Sequence, residues 1–221
     1  MSNLLIISAT KEKDGRLTLL GRSQNLSIKF HTNNKVGLPS IYNQYINKDF
    51  EDKILVMVHD DLYIDDLRLE EKIYQALKTY DLIGLAGTTG PLNIQSPVLW
   101  HIMGGPKEKY RGCVAHFKEK DNTKQLFSTS FGLTPDRVLL IDGVFMVAKV
   151  KTLLDNNIKF DENNPAKFHF YDLDFCLQCT QAKLKIGVWP IWCIHASPGL
   201  TNYTQEFLAG QEWFINKWRN K

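Results

Sequence analysis

Ile54-Leu55-Val56-Met57-Val58-His59-Asp60-Asp61 is a continuous apolar run that ends in one imidazole and two carboxylates. Adjacent carboxylates repel unless something positive sits beside them, and a divalent cation is the usual answer. Later in the chain Asp172-Leu173-Asp174 and His195 repeat these residue types, and Asp142-Gly143 sets one carboxylate beside a flexible neighbour. Hard oxygen ligands with one imidazole suit Mn2+ or Mg2+ better than a thiolate zinc site. Such an ion bridges a diphosphate and offsets the charge that develops as it leaves. A plainer account competes at each position. Acidic residues after a strand also serve as solvated turn residues or helix caps. Asp172 alone would cap the following helix, and His195 alone would be a histidine hydrogen-bonded at a strand end.

Five apolar residues without alternation, Ile54 to Val58, read as a strand buried on both faces. In an open α/β sheet chemistry sits just beyond the carboxyl ends of such strands. Leu4 to Thr10 reads as a first buried strand and Leu26 to Phe30 as a second. A helix is expected from Gly37 to about Asn47, with Pro39 in its first turn, and another from about Asp66 to Thr79 with an acidic start. Short strands are expected at Leu82 to Ala86, Gly112 to Phe117, Val138 to Ile141 and Val144 to Val150. A helix over Phe170 to Lys183 follows, then a single strand from Ile186 to His195, then an amphipathic helix from Gln205 to Trp218. Gly87 to Pro97 has the composition of a long loop, a common place for function or movement. Strand–helix alternation predicts an α/β fold with a mostly parallel central sheet flanked by helices.

At 221 residues and 43% hydrophobic composition, the chain has enough apolar material for a packed core. The formal charge, 27 − 24 = +3, lacks the excess expected of a dedicated nucleic-acid binder. No signal peptide or bilayer-length apolar run is visible, so a cytoplasmic location with free thiols is the expectation. Cys176-x-x-Cys179 lacks a second ligand pair, and Cys176 shares a helical face with Leu173, Leu177, Thr180 and Leu184, so it reads as core. The basic, aromatic tail from Trp213 to Lys221 reads as a packed terminal helix, with peripheral membrane contact as its alternative.

Taken in order, these motifs resemble the GT-A glycosyltransferases of the family-2 type, especially the compact StrF-like group. Gly37-Leu38-Pro39-Ser40-Ile41-Tyr42-Asn43 is similar to the segment before the metal strand, and Val58-His59-Asp60-Asp61-Leu62 resembles the DxD motif with His in its first position. Arg111-Gly112-Cys113-Val114-Ala115-His116, Ile141-Asp142-Gly143-Val144-Phe145-Met146 and Phe170-Tyr171-Asp172-Leu173-Asp174 resemble later motifs, the last with Tyr171 in place of Glu. Ile194-His195 is similar to the late histidine that completes the metal shell. The second-strand Asp-Asp-x-Ser-x-Asp signature is missing, and Leu26 to Asn34 occupies its region.

The resemblance implies a single domain over residues 1–221, with a nucleotide-sugar-binding half over 1–90 and an acceptor-binding half over 91–221. It implies a metal-dependent hexosyltransferase that moves a sugar from a nucleoside diphosphate, UDP in this reading, to a glycan or other hydroxyl acceptor. Asp61 and His195 would hold Mn2+ or Mg2+, Asp172 would be the catalytic residue, and Ser8, Ala9, Thr10, Asn43, Asp60, Asp142, Gly143 and Asp174 would bind substrate. An inverting enzyme would use Asp172 as general base; a retaining one would use it to orient the acceptor. Gly87 to Pro97 would gate the site. Two other readings stay open: a nucleotidyltransferase of related architecture, which would want a glycine-rich phosphate loop where Ser8 to Arg16 has one glycine, and a catalytically silent nucleotide- or sugar-binding domain. The chain could also be one domain cut from a longer multi-domain protein.

Overall fold

The computed structural model describes residues 2–97, 99–120, 123–196 and 203–219. The end of the basic tail, Asn220 and Lys221, lies outside the described residues. In chain order the strands are β1 (Leu4–Ala9), β2 (Ile28–His31), β3 (Ile54–Val58), β4 (Leu62–Ile64), β5 (Leu82–Gly84), β6 (Ala86–Thr88), β7 (Tyr110–Lys120), β8 (Thr123–Ser130), β9 (Asp136–Val138), β10 (Leu140–Ile141), β11 (Phe145–Lys149), β12 (Ile186–Val188) and β13 (Cys193–His195). The α-helices are α1 (Leu38–Asn43), α2 (Leu69–Ala76), α3 (Trp100–Met103), α4 (Val150–Asp155), α5 (Tyr171–Gln181) and α6 (Gln205–Trp218).

A large sheet has the order β2-β1-β3-β11-β5-β12-β9. Five of its strands run one way; β11 and β9 run against them. This is the mixed α/β, GT-A-like sheet that the sequence leads one to expect. β3 lies in its middle with all five residues buried, held by β1 (Leu4 opposite Ile54) and by β11 (Phe145 opposite Val58). Strands paired on both edges and covered on both faces need apolar side chains throughout, hence the unbroken run. A second sheet has the order β10-β6-β7-β13-β4, with β8 paired to β7.

Several predicted strands turn out to be split between these sheets. Leu82 to Ala86 breaks at Leu85, leaving β5 in the large sheet and β6 in the small one. Val138 to Ile141 breaks at Leu139 in the same way. The predicted strand Ile186 to His195 becomes β12, a connection through Pro190, and β13. Each piece is apolar because both sheets share one buried layer, so the composition carries no mark of the crossing. The first helix ends at Asn43 rather than Asn47, and the second covers only Leu69 to Ala76. Phe170 precedes its helix in a left-handed conformation, φ 62°, instead of belonging to it. Among the described residues no helix is long and apolar enough to cross a membrane.

Candidate active site

At the carboxyl end of β3 the ladder with β11 has one last bond, His59 N to Val144 O at 3.0 Å. The chain then passes Asp60 and Asp61 and turns into β4. β13 pairs antiparallel with β4, His195 opposite Leu62, and Ala196 N donates to Asp61 O at 3.0 Å. Strand pairing therefore carries a side chain from late in the sequence onto the carboxylate that follows β3.

His195 Nε2 lies 3.3 Å from Asp61 Oδ1, and His59 Nδ1 lies 3.9 Å from the same oxygen. One ligand atom from each of His59, Asp61 and His195 falls within 4.8 Å of the other two, the spacing of groups able to share a metal ion. Asp61 Oδ1 and His195 Nε2 are buried, yet neither has an aligned hydrogen-bond partner among the described residues. Buried polar atoms are normally satisfied; these two meet as an ion pair with each other at 3.3 Å, and His59 Nδ1 lies close enough for all three to share one cation. The donor set fits a divalent cation. Sequence reading credited the site with one imidazole; the structure brings a second, that of His59, to the same point.

The electrostatics agree with this layout. Burial disfavours the charged form of His195, but the Asp61 carboxylate reverses that and holds its pKa above the usual value. Burial also works against the Asp61 carboxylate, and His195 followed by His59 more than compensates, keeping its pKa low. For His59 burial dominates over Asp61 and Asp142, and its pKa is lowered.

Two clefts meet at His59 and Phe168. The larger, about 350 Å³, is lined by Ala9, Thr10, Lys11, Asn34, Leu38 and Asp60, among others, at the carboxyl ends of β1 and β3. The smaller, about 100 Å³, holds Trp100, Asp142, Gly143, His169, Tyr171 and Asp172. Asp142 is fixed there by two donors: Trp100 Nε1 at 2.8 Å on Oδ2 and Val144 N at 3.0 Å on Oδ1. Asp172 Oδ2 accepts from Gly143 N at 2.9 Å. Burial, then the charge of Asp142, pushes the Asp172 carboxyl up to about 7 against the pull of its backbone donors.

The structure thus gathers Ala9, Thr10, Asp60, Asp61, Asp142, Gly143, Asp172 and His195 around one pair of clefts. Three other residues expected to bind substrate face elsewhere. Ser8 is fully buried in β1, its hydroxyl unpartnered among the described residues, and lines neither of these clefts. Asn43 spends its amide on Phe160 O at 2.9 Å, Phe160 N at 3.0 Å and Glu162 Oε1 at 2.8 Å, tying α1 to that segment. Asp174 points into the core, where it accepts from Trp218 Nε1 at 2.9 Å and Gln178 Nε2 at 2.8 Å and pairs with Lys217 at 2.7 Å. Two residues had escaped notice as site components. Trp100 belongs to none of the sequence motifs and donates to Asp142; the Tyr171 hydroxyl reaches His59 Nε2 at 2.7 Å.

Residues 26–215 match the model of the glycosyltransferase-like family. No curated protein gives a significant match. Among solved structures, A197 from STIV is similar in fold at 12% sequence identity, with a TM-score of 0.47 over 86% of this chain and 82% of that one. With that family match spanning most of its length, the chain belongs to the glycosyltransferase-like family.

Proposed function

We propose that this protein is a cation-dependent glycosyltransferase that moves a hexose from a nucleoside diphosphate, UDP being the first candidate, to a hydroxyl acceptor such as a glycan. The observation that carries this reading is the convergence of Asp61 Oδ1 and His195 Nε2, buried and without aligned partners, where a cleft at the ends of β1 and β3 meets a second one holding Asp142 and Asp172. Residues 1–90 would supply most of the donor cleft and residues 91–221 most of the acceptor side.

His59, Asp61 and His195 would hold the cation. Two imidazoles and one carboxylate suit Mn2+ better than Mg2+, which prefers oxygen ligands and gives up water reluctantly. A cation held by these residues would supply positive charge to offset that of a departing diphosphate. Ala9 and Thr10 border the space for the nucleoside, with Lys11 and Asp60 on the same wall. In the smaller cleft Asp142, pinned by Trp100, orients the acceptor. Asp172 takes the acceptor's proton at one of its carboxylate oxygens, and a pKa of about 7 suits that exchange at neutral pH. Gly87 and Thr88 belong to β6, so a gate would be confined to residues 89–97, which Asn93 N ties to Met103 O at 2.7 Å at the end of α3, the helix that carries Trp100.

The test is a panel of sugar nucleotides, each with Mn2+ or Mg2+, read by thermal stabilisation and slow donor hydrolysis. At least one nucleoside diphosphate sugar should stabilise the protein only with cation present, and Asp61→Ala should lose that dependence. Binding of none, with or without cation, would remove the reading.

A further inference from the structure

Gly143 has no side chain because another residue's hydroxyl occupies the space. A Cβ built at Gly143 would collide with Tyr171 Oη and its ring carbon, and would come within 2.9 Å of Asp172 Cβ. From that space Tyr171 Oη makes two contacts, 3.1 Å to Gly143 O and 2.7 Å to His59 Nε2. A carbonyl oxygen only accepts, so the bond to Gly143 O takes the single proton of the phenol. The bond to His59 must then run the other way, with Nε2–H donating to Tyr171 Oη. A neutral imidazole with its proton on Nε2 has a bare Nδ1, the atom that lies 3.9 Å from Asp61 Oδ1. The opposite tautomer would aim an Nδ1–H at Asp61 from beyond hydrogen-bonding reach and would leave Gly143 O without the phenol's proton.

We propose that Tyr171, seated in the space left by Gly143, is a positioning residue that fixes the His59 ring with its Nδ1 lone pair turned toward Asp61 and His195, so that His59 serves as the third ligand of the cation site. The proposal rests on the cation-dependent reading above. Hydrogen bonds to the outer nitrogen of a ligating histidine set its tautomer and its ring angle, and their loss characteristically weakens metal affinity tenfold to a hundredfold. Tyr171 itself is held by ring contacts, 6.2 Å to Tyr42 and 6.0 Å to Phe160, which a phenylalanine would keep.

The experiment uses the full chain and two readouts that need no transfer activity. Histidine ring 15N shifts of the metal-free wild type should show His59 protonated at Nε2 and bare at Nδ1. Calorimetric titration with Mn2+ alone should show the dissociation constant rising about tenfold or more in Tyr171→Phe. Gly143→Ala, which displaces the hydroxyl, should do the same, while His195→Ala serves as the reference for a lost ligand. A wild-type His59 protonated at Nδ1 overturns the proposal without recourse to any variant, which covers the case of a variant that fails to fold. Tyr171→Phe binding Mn2+ within twofold of wild type, while His195→Ala does not, overturns the role of Tyr171 and leaves the cation site standing. A wild type that does not bind Mn2+ overturns both.

Discussion

Asp172 combines burial, a neighbouring carboxylate and a backbone donor, and the balance leaves it near neutrality. The folded protein therefore holds a proton that the unfolded chain gives up near pH 4. Folded stability falls as pH rises from about 4 to about 7, by roughly 2–4 kcal/mol over the window. Asp172→Asn keeps an acceptor for Gly143 N but has no charge to bury. Denaturant melts should find the variant more stable than wild type at pH 8, and the gap should close below pH 4. The same variant should keep donor binding and lose transfer by at least about a hundredfold, with the wild-type rate rising through an apparent pKa near 7. Asp61, Asp142, Asp172 and His195 could be singled out as candidates from the sequence because acidic and imidazole groups recur at successive strand and helix junctions, although each alone has a plainer use as a cap or turn residue. Trp100 and Tyr171 could not, because an indole and a phenol are ordinary core material until their polar ends are seen to meet Asp142 and His59.

Elements were legible in proportion to how local their causes are. β3 showed itself because a strand paired on both edges and buried on both faces admits only apolar residues. α6 showed itself through its stripe, with Phe207, Phe214 and Trp218 buried on one side. The breaks at Leu85, Leu139 and Pro190 were invisible because the change of sheet depends on distant partners, β7 for β6, β6 for β10 and β4 for β13, and not on the residues that cross. Asp174 shows how a motif residue can belong to an element instead of a site. It joins α5 to α6 through Trp218 and Lys217, buried at 1% exposure. Asp174→Ala should cost about 3 kcal/mol by removing a buried carboxylate that accepts from Trp218 Nε1 and Gln178 Nε2 and pairs with Lys217. A lowered melting temperature with unchanged Mn2+ affinity is the expected pair of results. Lost Mn2+ affinity in a stably folded variant would return Asp174 to the site.

Across the whole molecule the two halves of the chain are interleaved. β11, from the later half, lies between β3 and β5, from the earlier one, and pairs with β3 over Ile54 to Val58 and with β5 over Leu82 to Gly84. A fragment of residues 1–90 would leave both of those buried strand edges open. Expressed alone, it should show no cooperative thermal transition; a sharp one would mean that residues 1–90 fold by themselves. The glycosyltransferase-like character was readable at this scale because order along the chain survived where single motifs were short. What the order could not convey was the shape of Gly143. Its missing side chain and the Tyr171 hydroxyl occupy one and the same space. The pair should therefore be inherited together: a lineage that acquires a side chain at the position of Gly143 must first give up the phenol at the position of Tyr171, and one that replaces the phenol is released from the constraint on the glycine.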